Sequence, residues 1–199
     1  MSVFKISLKL FFRFSVHGHE NIPKKGAFIA ASNHVSYMDP PAIGATFRRR
    51  VYFIASSHLC ENRLLGLWLR SVGCLIIRRG EPDHTTMRRI IRYLKDGKPL
   101  AIFPEGSRSE DGKIRESLSG VGFLALKSQA PVIPCFVKGT DKAFPKGAKS
   151  FKRTKVSVYI GEAIRPEDFK HEGNRKESYQ LFSKKVMHNI AELQRRYAD

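Results

Sequence analysis

At 199 residues the chain has the length of one domain with room for a substantial core. Its 42% hydrophobic content, with charge spread along the whole length, excludes a disordered or fibrous protein. Against 18 Asp and Glu stand 36 Lys and Arg, a formal net charge of +18, which points to an anionic partner: nucleic acid, an anionic membrane leaflet or a phosphate-bearing substrate. Cys60, Cys74 and Cys135 are few, odd in number and scattered, which argues for a reducing compartment and against a disulfide framework.

The first predicted element is a helix over residues 2–16. Lys5, Lys9 and Arg13 recur at four-residue intervals and form one basic stripe, and Val3, Phe4, Ile6, Leu8, Leu10, Phe11, Phe12 and Phe14 cover most of the remaining circumference. Charge interrupts the segment too often for a bilayer span, which needs about 20 predominantly apolar residues. It also lacks the clean apolar core and small-residue cleavage site of a signal peptide. So wide an apolar arc suits a helix lying in an anionic membrane interface, a peripheral attachment expected on the cytoplasmic face. Packing on its own domain is the other use of such a helix. The expected division is an interfacial helix over 1–16 and a globular domain over 17–199.

Strands and helices then alternate. Short unbroken apolar runs bounded by turn formers predict strands over 27–32, 51–55, 73–78, 99–103, 132–138 and 155–160. Helices are predicted over 40–47, 62–71, 84–96, 119–128 and 175–197. Asp83 is placed to cap the helix at 84–96, whose apolar face is Met87, Ile90, Ile91 and Leu94. In the last helix Tyr179, Phe182, Val186, Ile190, Leu193 and Tyr197 recur every three or four residues, a core-packing stripe. The fold class is therefore α/β: a single domain with a largely parallel sheet flanked by helices, preceded by the amphipathic helix. Such a sheet gathers its loops along one edge.

Two of those loops carry chemistry. After the strand at 27–32 the chain reads Asn33-His34-Val35-Ser36-Tyr37-Met38-Asp39-Pro40-Pro41. Asp39 before two prolines has the pattern of a helix N-cap, and a turn between it and His34 can fold the carboxylate back to the imidazole. A carboxylate on one ring nitrogen fixes the tautomer and leaves the other nitrogen to accept a proton. The bland alternative is a loop histidine beside a capping aspartate. After the strand at 99–103 comes Pro104-Glu105-Gly106-Ser107-Arg108-Ser109. Gly106 permits positive φ or a close backbone approach, and Arg108 offers a planar donor fork suited to phosphate. Glu105 can accept hydrogen bonds from substrate hydroxyls or hold the arginine; the alternative is an ordinary surface ion pair.

Together, Asn33-His34 with Asp39 and Phe103-Pro104-Glu105-Gly106-Ser107-Arg108 resemble the first and third sequence blocks of the glycerolipid acyltransferase family, enzymes of the 1-acylglycerol-3-phosphate acyltransferase type. Gly73-Cys74-Leu75-Ile76-Ile77-Arg78-Arg79-Gly80 resembles the second block and Val132-Ile133-Pro134 the fourth. Gly18-His19-Glu20-Asn21-Ile22-Pro23 resembles the usual lead-in to the first strand. The blocks follow one another in the expected order over about residues 15–165.

The resemblance implies transfer of a fatty acyl group from acyl-CoA or acyl carrier protein to the free hydroxyl of a lysophospholipid. The preferred acceptor is 1-acylglycerol 3-phosphate and the product phosphatidate. It makes His34 the base that deprotonates the acceptor hydroxyl and Asp39 the residue that orients it. Arg79 and Arg108 hold the acceptor phosphate, Glu105, Gly106 and Ser107 belong to the same acceptor-binding turn, and Pro134 shapes the acyl-donor side. Neither a metal nor a bound cofactor is expected, the donor being a substrate. Many relatives carry a lysine and then acidic residues after the strand at 51–55, where this chain reads Ser56-Ser57-His58; Arg63, Arg78 or Lys98 are the cations available instead. That departure keeps other acceptors open: another lysophospholipid, a lyso-ornithine lipid or glycerol 3-phosphate. Of the readings from other classes, a non-catalytic lipid-binding module conflicts with the intact His34, Asp39, Glu105 and Arg108. A nucleic-acid-binding module leaves both polar turns unexplained, with no zinc, RNA-recognition or helix-turn-helix signature, so no nucleic acid is expected as partner.

Overall fold

Apolar runs long enough to be buried on both faces dictate a central sheet with helices on either side, and the computed structural model shows that arrangement. It describes residues 10–71, 73–77, 84–109, 111–115, 117–145, 147–148, 150–169 and 173–197. The strands are β1 (Ser15–His17), β2 (Ile29–Ser32), β3 (Tyr52–Ser56), β4 (Leu75–Ile77), β5 (Leu100–Ile102), β6 (Val132–Lys138) and β7 (Ser157–Ile160). The helices are α1 (Asp39–Thr46), α2 (Arg63–Ser71), α3 (His84–Lys95), α4 (Gly120–Ser128), α5 (Thr140–Ala143) and α6 (Arg175–Tyr197). The spatial strand order is β1-β7-β6-β2-β5-β3-β4. The pairs among β2 to β6 are parallel, with Ile29 opposite both Leu100 and Val132. β7 runs antiparallel to β6, and β1 parallel to β7.

β2 shows why its sequence is unbroken apolar text. Phe28 and Ala30 point into one core with Ala42, Ile43 and Phe47 around α1. Ile29 and Ala31 point into the other, with Ile90 and Leu94 of α3, Leu124 of α4, and Phe182, Val186 and Ile190 of α6. α4 and α6 pack so closely that a Cβ on Gly122 would lie 2.1 Å from the Tyr179 carbonyl oxygen.

The N-terminal segment departs from expectation. Residues 10–12 are helical, but the predicted helix over 2–16 does not continue: Arg13 takes φ 45, a left-handed conformation that a helix of L-residues cannot extend through. Phe12 and Phe14 are buried, and Ser15–His17 pair with Ser157–Tyr159. The expected boundary at residue 16 therefore falls inside a strand of the sheet. Because β1 runs opposite to β2, residues 10–14 sit at the sheet edge where β2 and β5 end. Asp83 lies outside the described residues.

Candidate active site

The turns after β2 and β5 meet at that edge because the two strands are adjacent and parallel. The expected His34–Asp39 pair is formed: His34 Nδ1 lies 2.8 Å from Asp39 Oδ2. The same oxygen accepts from the backbone N–H groups of Val35 (2.7 Å) and Ser36 (2.8 Å), and Oδ1 accepts from the Thr140 hydroxyl at 2.5 Å. Asp39 is fully buried, so these four bonds are what allow a carboxylate there. The helix cap is Met38, and Asp39 is the first helical residue, followed by Pro40 and Pro41. The capping expectation is corrected accordingly. The carboxylate turns back into the loop, where three donors await it, instead of forward onto the helix N–H groups.

His34 keeps 16% of its side chain exposed and stacks on Phe103, ring centroids 4.1 Å apart. With Nδ1 held by a carboxylate, Nε2 is the free nitrogen, oriented by one hydrogen bond and one ring face. Behind it, Asn33 extends the β2–β6 ladder past the end of β2. Its amide donates to the Val137 carbonyl (3.0 Å) and its side-chain oxygen accepts the Val137 N–H (2.7 Å).

Among the described residues Glu105 does not hold Arg108; it is engaged by backbone donors. Its two oxygens accept the backbone N–H of His34 (3.0 Å) and of Arg115 (3.3 Å). It is a buried clip between the turns after β2 and β5, because backbone donors removed from water require acceptors. The Ser109 N–H adds a second tie, to the His34 carbonyl at 2.7 Å. Gly106 takes φ 70 with Leu118 packed over it, and Ser107 follows half-buried in the same turn.

Burial pushes the Glu105 carboxyl above its ordinary value, with the His34 and Arg115 N–H bonds opposing the shift. An acid raised on folding binds its proton more tightly in the native state. Its contribution to stability is full below the ordinary carboxylate range and is lost as pH rises through the raised value. Glu105→Gln is expected to remove that slope. Urea midpoints of the two proteins between about pH 4 and 7 should diverge in the wild type's disfavour as pH rises, and parallel curves would refute it.

Arg108 is held at the His34–Asp39 turn, its guanidinium carbon 3.6 Å from the ring centre of the exposed Tyr37. Arg79 lies outside the described residues. Pro134 is not brought to this turn: it is buried within β6, opposite Ala31 and against Gly161. Cys135 is no nucleophile, since burial pushes its thiol up to about 12; burial also raises Cys74, with Cys60 adding to the effect.

Four contacting residues escaped the sequence reading: Asn33 as a ladder extension, Tyr37, Phe103 and Thr140. Thr140 had one legible signal, its place just beyond the run at 132–138 on the edge that already held His34.

Comparisons with known proteins identify the family. A family model described as Acyltransferase matches residues 13–138. The 1-acyl-sn-glycerol-3-phosphate acyltransferase of Bacillus subtilis is 28% identical over 169 residues, covering 84% of this chain and 81% of its own. That of Borreliella burgdorferi is 30% identical over 159 residues, 78% of this chain and 63% of its own. Against the chloroplastic enzyme of Arabidopsis thaliana the chain is 28% identical but spans only 46% of that protein's length. The crystal structure of the 1-acyl-sn-glycerophosphate acyltransferase of Thermotoga maritima superposes with a TM-score of 0.77 at 31% identity, over 98% of this chain and 78% of that one. With the family model, the curated relatives and the solved structure in agreement, this chain belongs to the acyltransferase family.

Proposed function

We propose that the protein transfers a fatty acyl group from a thioester, acyl-CoA or acyl carrier protein, to the free hydroxyl of a lysophospholipid. The proposed acceptor is 1-acylglycerol 3-phosphate and the product phosphatidate. The observation that carries the reading is the His34 ring, tied to a fully buried Asp39 on one nitrogen and open on the other, with Arg108 beside the same turn. The names of the relatives support the acceptor class.

In this reading His34 Nε2 takes the proton from the acceptor hydroxyl as its oxygen attacks the thioester carbonyl. Asp39 stabilises the imidazolium that results. Collapse of the tetrahedral adduct breaks the carbon–sulfur bond, and His34 returns the proton to the departing thiolate. No enzyme nucleophile is required, because the acceptor supplies it.

Arg108 supplies the charge for the acceptor phosphate, with Arg79 as the second expected cation. Arg108→Ala should raise the acceptor KM about tenfold with little change in kcat, the signature of lost ground-state binding. An unchanged acceptor KM in steady-state assays with lysophosphatidate would remove the phosphate role. Where many relatives carry lysine, β3 ends at Ser56, whose buried hydroxyl has no partner among the described residues. An acceptor screen with one labelled donor therefore tests the headgroup: acylation of lysophosphatidate in preference to lyso-ornithine lipid, glycerol 3-phosphate or other lysophospholipids supports the assignment.

The reading includes peripheral attachment to an anionic bilayer on the cytoplasmic face. No helix among the described residues is long and apolar enough to cross a membrane. Leu10 and Phe11 are exposed next to the catalytic edge, so an N-terminal segment lying in the interface would bring that edge to the lipid surface. Removal of residues 1–11 spares the buried Phe12 and Phe14 and is expected to abolish sedimentation with phosphatidylglycerol vesicles; unchanged partitioning would refute the anchor.

A further inference from the structure

A cleft of about 460 Å³ opens at the end of β6, reaching the two residues that flank His34. Asn33 and Val35, the residues flanking His34, form one wall, and the end of β6 and the start of β7 form the other. In the strand order β7-β6-β2-β5, the strand residues of this cleft lie on one side of β2 and the β5 turn with Glu105 and Arg108 on the other, and the loop after β5 reaches the cleft at Gly112. Three cations line it, Lys138, Lys142 and Lys155, against one acid, Asp141. Lys138 Nζ donates to the Tyr197 carbonyl at 3.0 Å, which holds its ammonium at the wall. Gln194 of α6 donates to the Gly112 carbonyl at 3.1 Å, and both residues line the same space. Gly139, at φ 88, closes one end: a Cβ there would lie 2.1 Å from the Lys155 carbonyl oxygen.

A direct transfer needs both reactants on the base at once, and in the reading above both are anionic. Two phosphates on one cation set would repel each other and compete. Cations carried on either side of β2, Arg108 after β5 and the lysines around β6 and β7, remove that conflict. We infer that the cleft at the end of β6 and the start of β7 is the donor's anion subsite, where Lys142 and Lys155 bind the 4′-phosphate at the end of the donor's pantetheine arm while the thioester reaches past Asn33 and Val35 to His34. The inference rests on the proposed acyl transfer. The 4′-phosphate of the phosphopantetheine arm is common to acyl-CoA and acyl carrier protein, so the chemistry is named without the source.

The test is the exposed double variant Lys142→Gln/Lys155→Gln, assayed with lysophosphatidate and three donors: acyl-CoA, acyl carrier protein and an acyl N-acetylcysteamine thioester, which has no phosphate. The acyl-CoA KM is expected to rise about tenfold at low ionic strength and to lose most of its salt dependence. The KM for the phosphate-free donor and for the acceptor should not move. A matching rise with acyl carrier protein supports the shared 4′-phosphate as the group bound, and a rise with acyl-CoA alone would overturn that assignment in favour of the nucleotide phosphates. An equal change with the phosphate-free donor, a rise in acceptor KM instead, or no change at all would overturn it. Should the wild type acylate no lysolipid, the acyl-transfer reading falls, and titration of CoA alone still decides the cleft: about tenfold weaker binding by the variant supports it, and equal binding overturns it.

Discussion

His34→Ala is expected to lower kcat for acyl transfer by about 10²- to 10⁴-fold, the range a positioned general base contributes. The fold should survive, because removing the ring costs Asp39 only one of its four hydrogen bonds. The Val35 and Ser36 N–H groups and the Thr140 hydroxyl still satisfy the carboxylate. The lost Phe103 stacking sits at a partly exposed site and is worth about 1 kcal/mol. Steady-state kinetics beside a urea melt separate the two effects. A kcat within a few-fold of wild type would show that His34 is not the base.

Asp39 carries the second large effect, and two substitutions divide it. Asp39→Ala leaves two buried N–H groups and a hydroxyl without their acceptor, and should destabilise the protein by about 3–5 kcal/mol as well as abolishing turnover. Asp39→Asn is different. An amide oxygen in the position of Oδ2 still accepts from His34, Val35 and Ser36, and the amide nitrogen faces Thr140, whose hydroxyl can accept instead of donate. Stability should change little, while kcat falls about 10²-fold or more because the imidazolium loses its counter-charge. If the Asp39→Asn variant turns over normally, the carboxylate is there for folding alone.

The proposed acyl transfer and the proposed membrane attachment share one topological requirement. β1 and β7 run against the other five strands, which brings residues 10–14, the cationic cleft and both motif turns to one end of the sheet. Reversal of β1 would carry Leu10 and Phe11 to the opposite end.

The strongly periodic parts of the fold are legible in residue order alone. Residues 132–138 and 175–197 form the strand and helix expected of them, because one is an unbroken apolar run and the other a long stripe with Phe182, Val186 and Ile190 four apart. β1 and α5 were not legible: elements of three and four residues hold their shape through neighbours, and the Phe-rich text before β1 reads as helix until Arg13 breaks it. At the site, the identity of His34, Asp39, Glu105 and Arg108 was legible as residue types at strand ends. Their partners were set by packing across the sheet. Thr140 reaches Asp39 from 101 residues away, Asn33 joins Val137 across 104, and Glu105 binds backbone N–H groups in preference to arginine. Local sequence encodes conformational preference, but the acceptor a buried donor finds depends on which strands the sheet places side by side.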